Sequence, residues 1–193
     1  METFQIGIAC GAGLAAGHMI TALVRRFREG LTPRLLPPMV ASAWTVAAFM
    51  GAGAVIYPLT LWCAVSAGVD MGSRRLPNAL TASGALAMLV YAIAVRHVGT
   101  ALTGALALFL CYLVVHLCVP AAFGAGDVKL AFTTGGVTAL AGGDTWVSAA
   151  VLAPLLTGVL GLALTLFARA RPTVPHGPSM ALATLLALAA VPA

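Results

Sequence analysis

The chain has 193 residues, of which 61% are hydrophobic and only 8% are charged. A soluble domain usually carries about 25% charged residues, so this composition excludes both a soluble globular protein and a disordered one. Ten basic residues stand against five acidic ones. Because the basic residues fall between apolar runs, they indicate loop anchors at a lipid bilayer, and we expect no nucleic-acid partner.

Charge-free apolar runs predict an all-α, polytopic membrane protein with about six to eight transmembrane helices, since a membrane barrel would need alternating strands. The sequence contains no linker or soluble region, so we expect one membrane-embedded domain over 1–193. The predicted segments in chain order are a first span at 4–24, a cytoplasmic loop at 25–38, the run 39–69, and further apolar segments at 79–95, 98–121, 130–143, 145–168 and 179–193.

The run 39–69 is too long for one simple crossing. Its 31 residues would make a helix of about 46 Å, against a hydrocarbon core of about 30 Å. Gly51, Gly53 and Pro58 lie near its middle, where a tight turn would fit. Keeping the flanking basic loops on the inner face requires an even number of crossings, so we expect two short ones. The segment 130–143 is either a short sheltered span or a re-entrant segment.

Two of the five acidic residues, Asp70 and Asp127, need a chemical reason for their positions. Only the segments 79–95 and 98–121 separate them, so we expect both at the same membrane face. An ionised aspartate near hydrocarbon is costly unless it is paired or hydrated. Two carboxylates in one aqueous cleft would share a proton and act as base and acid, which is sufficient to hydrolyse a peptide bond without a metal or a cofactor.

The neighbouring residues are compatible with this pair. Gly124 and Gly126 remove side chains just before Asp127, so another backbone could approach closely. Asp127 would cap a helix that begins near Val128. In the other region, Pro77-Asn78 ends one element and starts the next helix, with Asn78 near its N-cap.

Other interpretations of the same residues stay open at this stage. Asp70 could be an ordinary helix-end acid paired with Arg74, and Gly124 to Asp127 could be a turn with no catalytic role. A small proton- or cation-coupled transporter would also use two membrane acids, although it should place them at mid-span depth. His18 and His116 lie on apolar segments, where packing or a hydrogen bond is the more ordinary role than catalysis.

Three motifs, in this order, resemble the type IV prepilin peptidases, which are membrane aspartic proteases of the GxGD kind. The first is an apolar run that ends in Asp70 and is followed by a basic stretch and Leu-Pro-Asn-Ala-Leu-Thr, residues 76–81. The second is Gly-Ala-Gly-Asp-Val-Lys-Leu at 124–130, and the third is the Pro-His-Gly-Pro turn at 175–178. The resemblance covers roughly residues 38–193.

The resemblance implies an aspartic endopeptidase in the cell (inner) membrane that cleaves the basic leader of prepilin-like or pseudopilin proteins at the cytoplasmic face. Its expected partners are that leader and the apolar helix that follows it. It also implies that Asp70 and Asp127 are catalytic and that no cofactor or metal is used. The residues expected to support the site are Gly124, Gly126, Lys129, Pro77 and Asn78.

The sequence also departs from the family pattern. Larger members carry an N-terminal cytoplasmic region with two C-x-x-C pairs, which is associated with methylating the new N-terminus. This chain has no such pairs and only a short loop at 25–37, so we expect no methyltransferase activity. His176 and Ser179 stand where aromatic residues are common in relatives. Arg74 and Arg75 are either cytoplasmic anchors or residues at the edge of the site.

Overall fold

The computed structural model describes residues 2–27, 36–49, 53–120, 123–168 and 174–191. These residues contain eight helices and no strand, which confirms the all-α class. The helices are α1 (Glu2–Phe27), α2 (Leu36–Phe49), α3 (Ile56–Ser73), α4 (Asn78–Ala94), α5 (Val98–Cys118), α6 (Ala125–Ala141), α7 (Gly143–Ala168) and α8 (Gly177–Ala189). The expected loop residues 28–35, the turn residue Gly51, and the basic residues Arg169 and Arg171 lie outside the described ranges.

The helices have the length and the surface of a membrane protein. Val98–Cys118 and Gly143–Phe167 are long and apolar enough to cross a bilayer, and shorter apolar helices cover Ile6–Met19, Asn78–Ala94 and Gly177–Ala189. Large aliphatic and aromatic side chains remain exposed along α7, including Phe167 at 88%. A soluble surface rarely exposes a continuous apolar face of this kind, so the structure is consistent with the expected all-α membrane protein.

Of two apolar segments, one is divided into two helices as expected, and the other begins earlier than expected. The run 39–69 is divided, because α2 ends at Phe49 and α3 begins at Ile56. Pro58 lies in the first turn of α3, where its missing N–H interrupts no helical hydrogen bond. The segment expected at 130–143 begins earlier, since α6 starts at Ala125 and has 17 residues.

The chain divides into two compact units, with the boundary between Ser73 and Arg74. The first unit contains α1, α2 and α3. Gly13 allows α1 and α2 to pack closely, because a Cβ at this position would lie only 2.7 Å from the Cα of Ala41. Trp44 of α2 packs edge-on against Tyr57 of α3, with the ring centroids 5.4 Å apart.

In the second unit, α6 is the central helix and contacts each of α4, α5, α7 and α8. Its backbone passes close to α5 at Gly135 and Gly104, where the absence of side chains permits the approach. The Trp146 indole of α7 donates a hydrogen bond to the Gly104 carbonyl at 3.0 Å. The helices α5, α6 and α7 are therefore held together near Gly104. The Gly-x-Gly-Asp motif lies at the start of the central helix, α6.

Candidate active site

Asp127 lies in the first turn of α6, and its side chain is 7% exposed. Its backbone N–H donates to the Gly124 carbonyl at 3.0 Å, and the Gly124 N–H donates to Asp127 Oδ2 at 2.9 Å. This reciprocal pair closes the helix start, and the helix N-terminus favours the charged carboxylate. The expected helix start near Val128 is wrong: Gly124 is the N-cap, and Asp127 is the third helical residue.

The two glycines of the motif have different surroundings. A Cβ on Gly126 would lie 3.2 Å from the Cβ of Leu76, so the Leu76 side chain fills the space that the glycine leaves. Gly124 has φ −73° and ψ 155°, which any residue adopts, and the nearest atom to its Cβ would be Asp127 Oδ2 at 3.4 Å. The close approach expected at both positions occurs at Gly126, and it involves a side chain rather than a backbone.

Lys129 connects the second motif to the first. Its Nζ donates to Asn78 Oδ1 at 2.6 Å, which joins α6 to the first residue of α4 across 51 sequence positions. Pro77 is the N-cap residue of α4, and no side-chain hydrogen bond caps that helix. The position of Asn78 near the N-cap had suggested that it caps α4. Its side-chain oxygen instead accepts a hydrogen bond from Lys129.

We expect the Lys129–Asn78 hydrogen bond to contribute about 0.5 kcal/mol to stability, because both side chains are exposed and solvent screens the ammonium. A double-mutant cycle with Lys129→Met and Asn78→Ala measures this coupling from unfolding midpoints in detergent. Asn78→Asp keeps an acceptor and should retain the coupling with Lys129. If the stability losses of the two single variants add up to that of the double variant, the hydrogen bond makes no contribution, which would contradict the prediction.

Asp70 lies in the last turn of α3, in the first unit, and is 7% exposed. Ser66 stands one turn earlier on the same face and is fully buried, and within the described ranges its Oγ makes no hydrogen bond. The helix ends at Ser73, and Arg74 follows with φ 50°, a left-handed conformation that breaks the helix. A carboxylate this close to a helix C-terminus is less favoured as an anion than one at an N-terminus.

A cluster of rings beside the Gly-x-Gly-Asp turn was not predicted from the sequence. The Phe123 ring packs against Tyr112 and His176, with centroid distances of 4.8 Å and 4.5 Å. The available signal was His176 itself, a polar ring in the Pro-His-Gly-Pro turn at 175–178.

The hydrogen bonds of His176 define its protonation. Its Nδ1 lies 2.7 Å from Thr157 Oγ1, and its Nε2 lies 3.0 Å from the Tyr112 hydroxyl. The Thr157 hydroxyl also lies 3.1 Å from the Ala153 carbonyl, and when it donates there, Thr157 Oγ1 accepts from Nδ1–H and Nε2 accepts from Tyr112. Burial lowers the pKa of His176 to about 4, so the imidazole is neutral at neutral pH.

The helical architecture characterises an all-α membrane protein, and each of its two units has one buried aspartate at a helix end, Asp70 and Asp127. Residues 57–168, more than half of the chain, match the type IV leader peptidase family, and this range includes Asp70 and Asp127. The chain therefore belongs to the type IV leader peptidase family and is a protease of that general kind. Neither the curated proteins nor the solved structures contain a match to it.

Proposed function

We propose that this protein is an aspartic endopeptidase of the cell membrane that removes the basic leader from prepilin-like or pseudopilin proteins at the cytoplasmic face. The main support is that Asp70 and Asp127 both lie within the family match and are both 7% exposed. Aspartates are almost never this buried unless they are paired or used. The leader and the apolar helix that follows it are the proposed substrate elements.

We assign the base to Asp127 and the acid to Asp70, because the two residues occupy opposite kinds of helix end. The α6 N-terminus and the Gly124 N–H favour an anionic Asp127, whereas the C-terminal end of α3 favours a protonated Asp70. Asp127 takes a proton from water as the water oxygen attacks the carbonyl carbon, and Asp70 donates its proton to the carbonyl oxygen. The C–N bond breaks when Asp127 protonates the nitrogen and Asp70 regains a proton from the intermediate.

Infrared spectroscopy tests this assignment directly. A protonated carboxylic acid gives a C=O band that a carboxylate lacks, so the wild-type protein at neutral pH should show one such buried band. Asp70→Asn should remove the band, and Asp127→Asn should leave it in place. The opposite pattern would reverse the assigned roles without affecting the proposed reaction, because a coupled pair shares one proton in either case.

The proposed function is tested with the purified chain in liposomes and a synthetic substrate that has a short basic leader, a glycine and an apolar helix. We expect a single cut after the glycine, located by mass spectrometry. A substrate whose basic leader residues are replaced by alanine serves as the control. Uncleaved substrate after incubation with the wild-type protein would contradict the proposal. Ion-dependent uptake into the same liposomes would favour the transporter instead. The helix-end positions of both aspartates argue against transport.

A further inference from the structure

The peptide group that joins Phe123 to Gly124 is hydrogen-bonded at both of its polar atoms. Its carbonyl oxygen lies 2.7 Å from His116 Nδ1, and its N–H donates to Asp127 Oδ2 at 2.9 Å. A carbonyl has no hydrogen to give, so Nδ1 is the donor to it. Hydrogen bonds that share one peptide group polarise each other, so the His116 bond strengthens the bond to the carboxylate.

The side chain attached to this peptide is also fixed. The Phe123 ring lies against the rings of Tyr112 and His176, at centroid distances of 4.8 Å and 4.5 Å. Both of those rings are themselves held, because the Tyr112 hydroxyl is hydrogen-bonded to His176 Nε2, and the Thr157 hydroxyl is hydrogen-bonded to His176 Nδ1. The plane of the Phe123–Gly124 peptide is therefore restrained by a ring cluster on one side and by His116 on its carbonyl.

We propose that His116 is a positioning residue for the protease: through the Phe123–Gly124 peptide it orients and polarises the Gly124 N–H that binds Asp127. This inference rests on the proposed function, in which Asp127 is the base. His116 itself makes no contact with the reacting atoms in this mechanism. It acts one peptide group away, from the last turn of α5.

A purely structural role for His116 would be to tie the end of α5 to the start of α6, since the bond spans seven sequence positions. The two roles differ in what is lost when the nitrogen donor at the place of Nδ1 is removed. Loss of a structural tie lowers the folded fraction, whereas loss of positioning lowers kcat in the protein that is folded. The amide nitrogen of asparagine occupies nearly that place, and the side chains of leucine and methionine fill the volume without any donor.

The experiment compares leader cleavage by His116→Asn with cleavage by His116→Leu and His116→Met. Loss of one hydrogen bond to a charged system corresponds to about a tenfold change, so we expect kcat to fall about tenfold in H116L and H116M with KM unchanged. H116N should stay within about threefold of wild type. His97→Leu is the matched control, because His97 lies exposed at the other end of α5 and makes no side-chain capping bond.

The ratio of kcat for H116N to kcat for the two apolar variants distinguishes the two roles. A ratio near one, with all variants folded by size-exclusion in detergent, would overturn the positioning role. If H116L is not recovered in folded form, H116M carries the comparison. An inactive wild-type protein would instead refute the proposed function, so the two failures are distinguishable.

Discussion

Asp70→Asn and Asp127→Asn should each reduce kcat for leader cleavage by about 10²–10⁴-fold, the range typical of removing a general acid or base. An amide keeps nearly the same shape, but it neither takes up the proton from water nor transfers a proton to a carbonyl oxygen. The two substitutions together should cost little more than either alone, because residues that act as a unit are not additive. The measurement is single-turnover cleavage of the leader substrate in liposomes.

The matched control for these variants is Asp144→Asn. Asp144 lies exposed in the first turn of α7, so the same chemical change is made outside the proposed site. It should leave cleavage at the wild-type level. Retained activity in D70N or in D127N, with the protein folded, would exclude a mechanism that uses both carboxylates.

The helices could be predicted from the sequence because a membrane leaves few alternatives. A charge-free apolar run must satisfy its backbone internally, so it becomes a helix. The helix ends could not be read in the same way. α1 continues through Arg25 and Arg26 to Phe27, and α6 starts at Ala125 before the charged Asp127 and Lys129. Backbone hydrogen bonding continues past the point where the apolar run ends, so the apolar run marks the segment but not its ends.

The role of individual polar residues depended on partners that are distant in sequence. Asn78 looked like a capping residue from its place after Pro77, but its oxygen binds Lys129, 51 positions away. His116 was expected either to pack or to make an ordinary hydrogen bond, and only the position of the Phe123–Gly124 peptide connects it to Asp127. Local pattern determines which residues can make a bond, whereas packing determines which bond they make.

The ring cluster illustrates the same limit more sharply. Tyr112 and His176 are 64 positions apart, the first in the apolar segment 98–121 and the second in the turn at 175–178. Neither residue belongs to a recurring catalytic pattern, and each would be unremarkable in a core. Their relation to the motif follows from the position of Phe123 between them, directly before Gly124. Such a cluster becomes visible only when α5, α6 and the turn before α8 are seen together.

Gly135→Ala should lower the stability of the protein by about 1–2 kcal/mol, whereas Gly158→Ala should leave it unchanged or raise it. A Cβ on Gly135 would lie 2.6 Å from the Gly104 carbonyl oxygen and 2.7 Å from the Leu108 Cβ, so α5 and α6 must move apart. A Cβ on Gly158 would have nothing within 4 Å. Both substitutions gain about 1 kcal/mol of helix propensity. The difference between their changes in stability therefore measures the effect of the helix crossing alone.

Gly135→Val extends the test, because its larger side chain should destabilise the crossing by about 3 kcal/mol. Unfolding midpoints in mixed micelles of detergent and SDS measure all three variants. Since α6 also carries Asp127, cleavage by G135A and G135V should fall together with the folded fraction rather than independently of it. Equal unfolding midpoints for G135A and G158A would contradict the close approach of α5 and α6. Loss of cleavage without any loss of stability would mean that the helix crossing affects the active site but does not stabilise the fold.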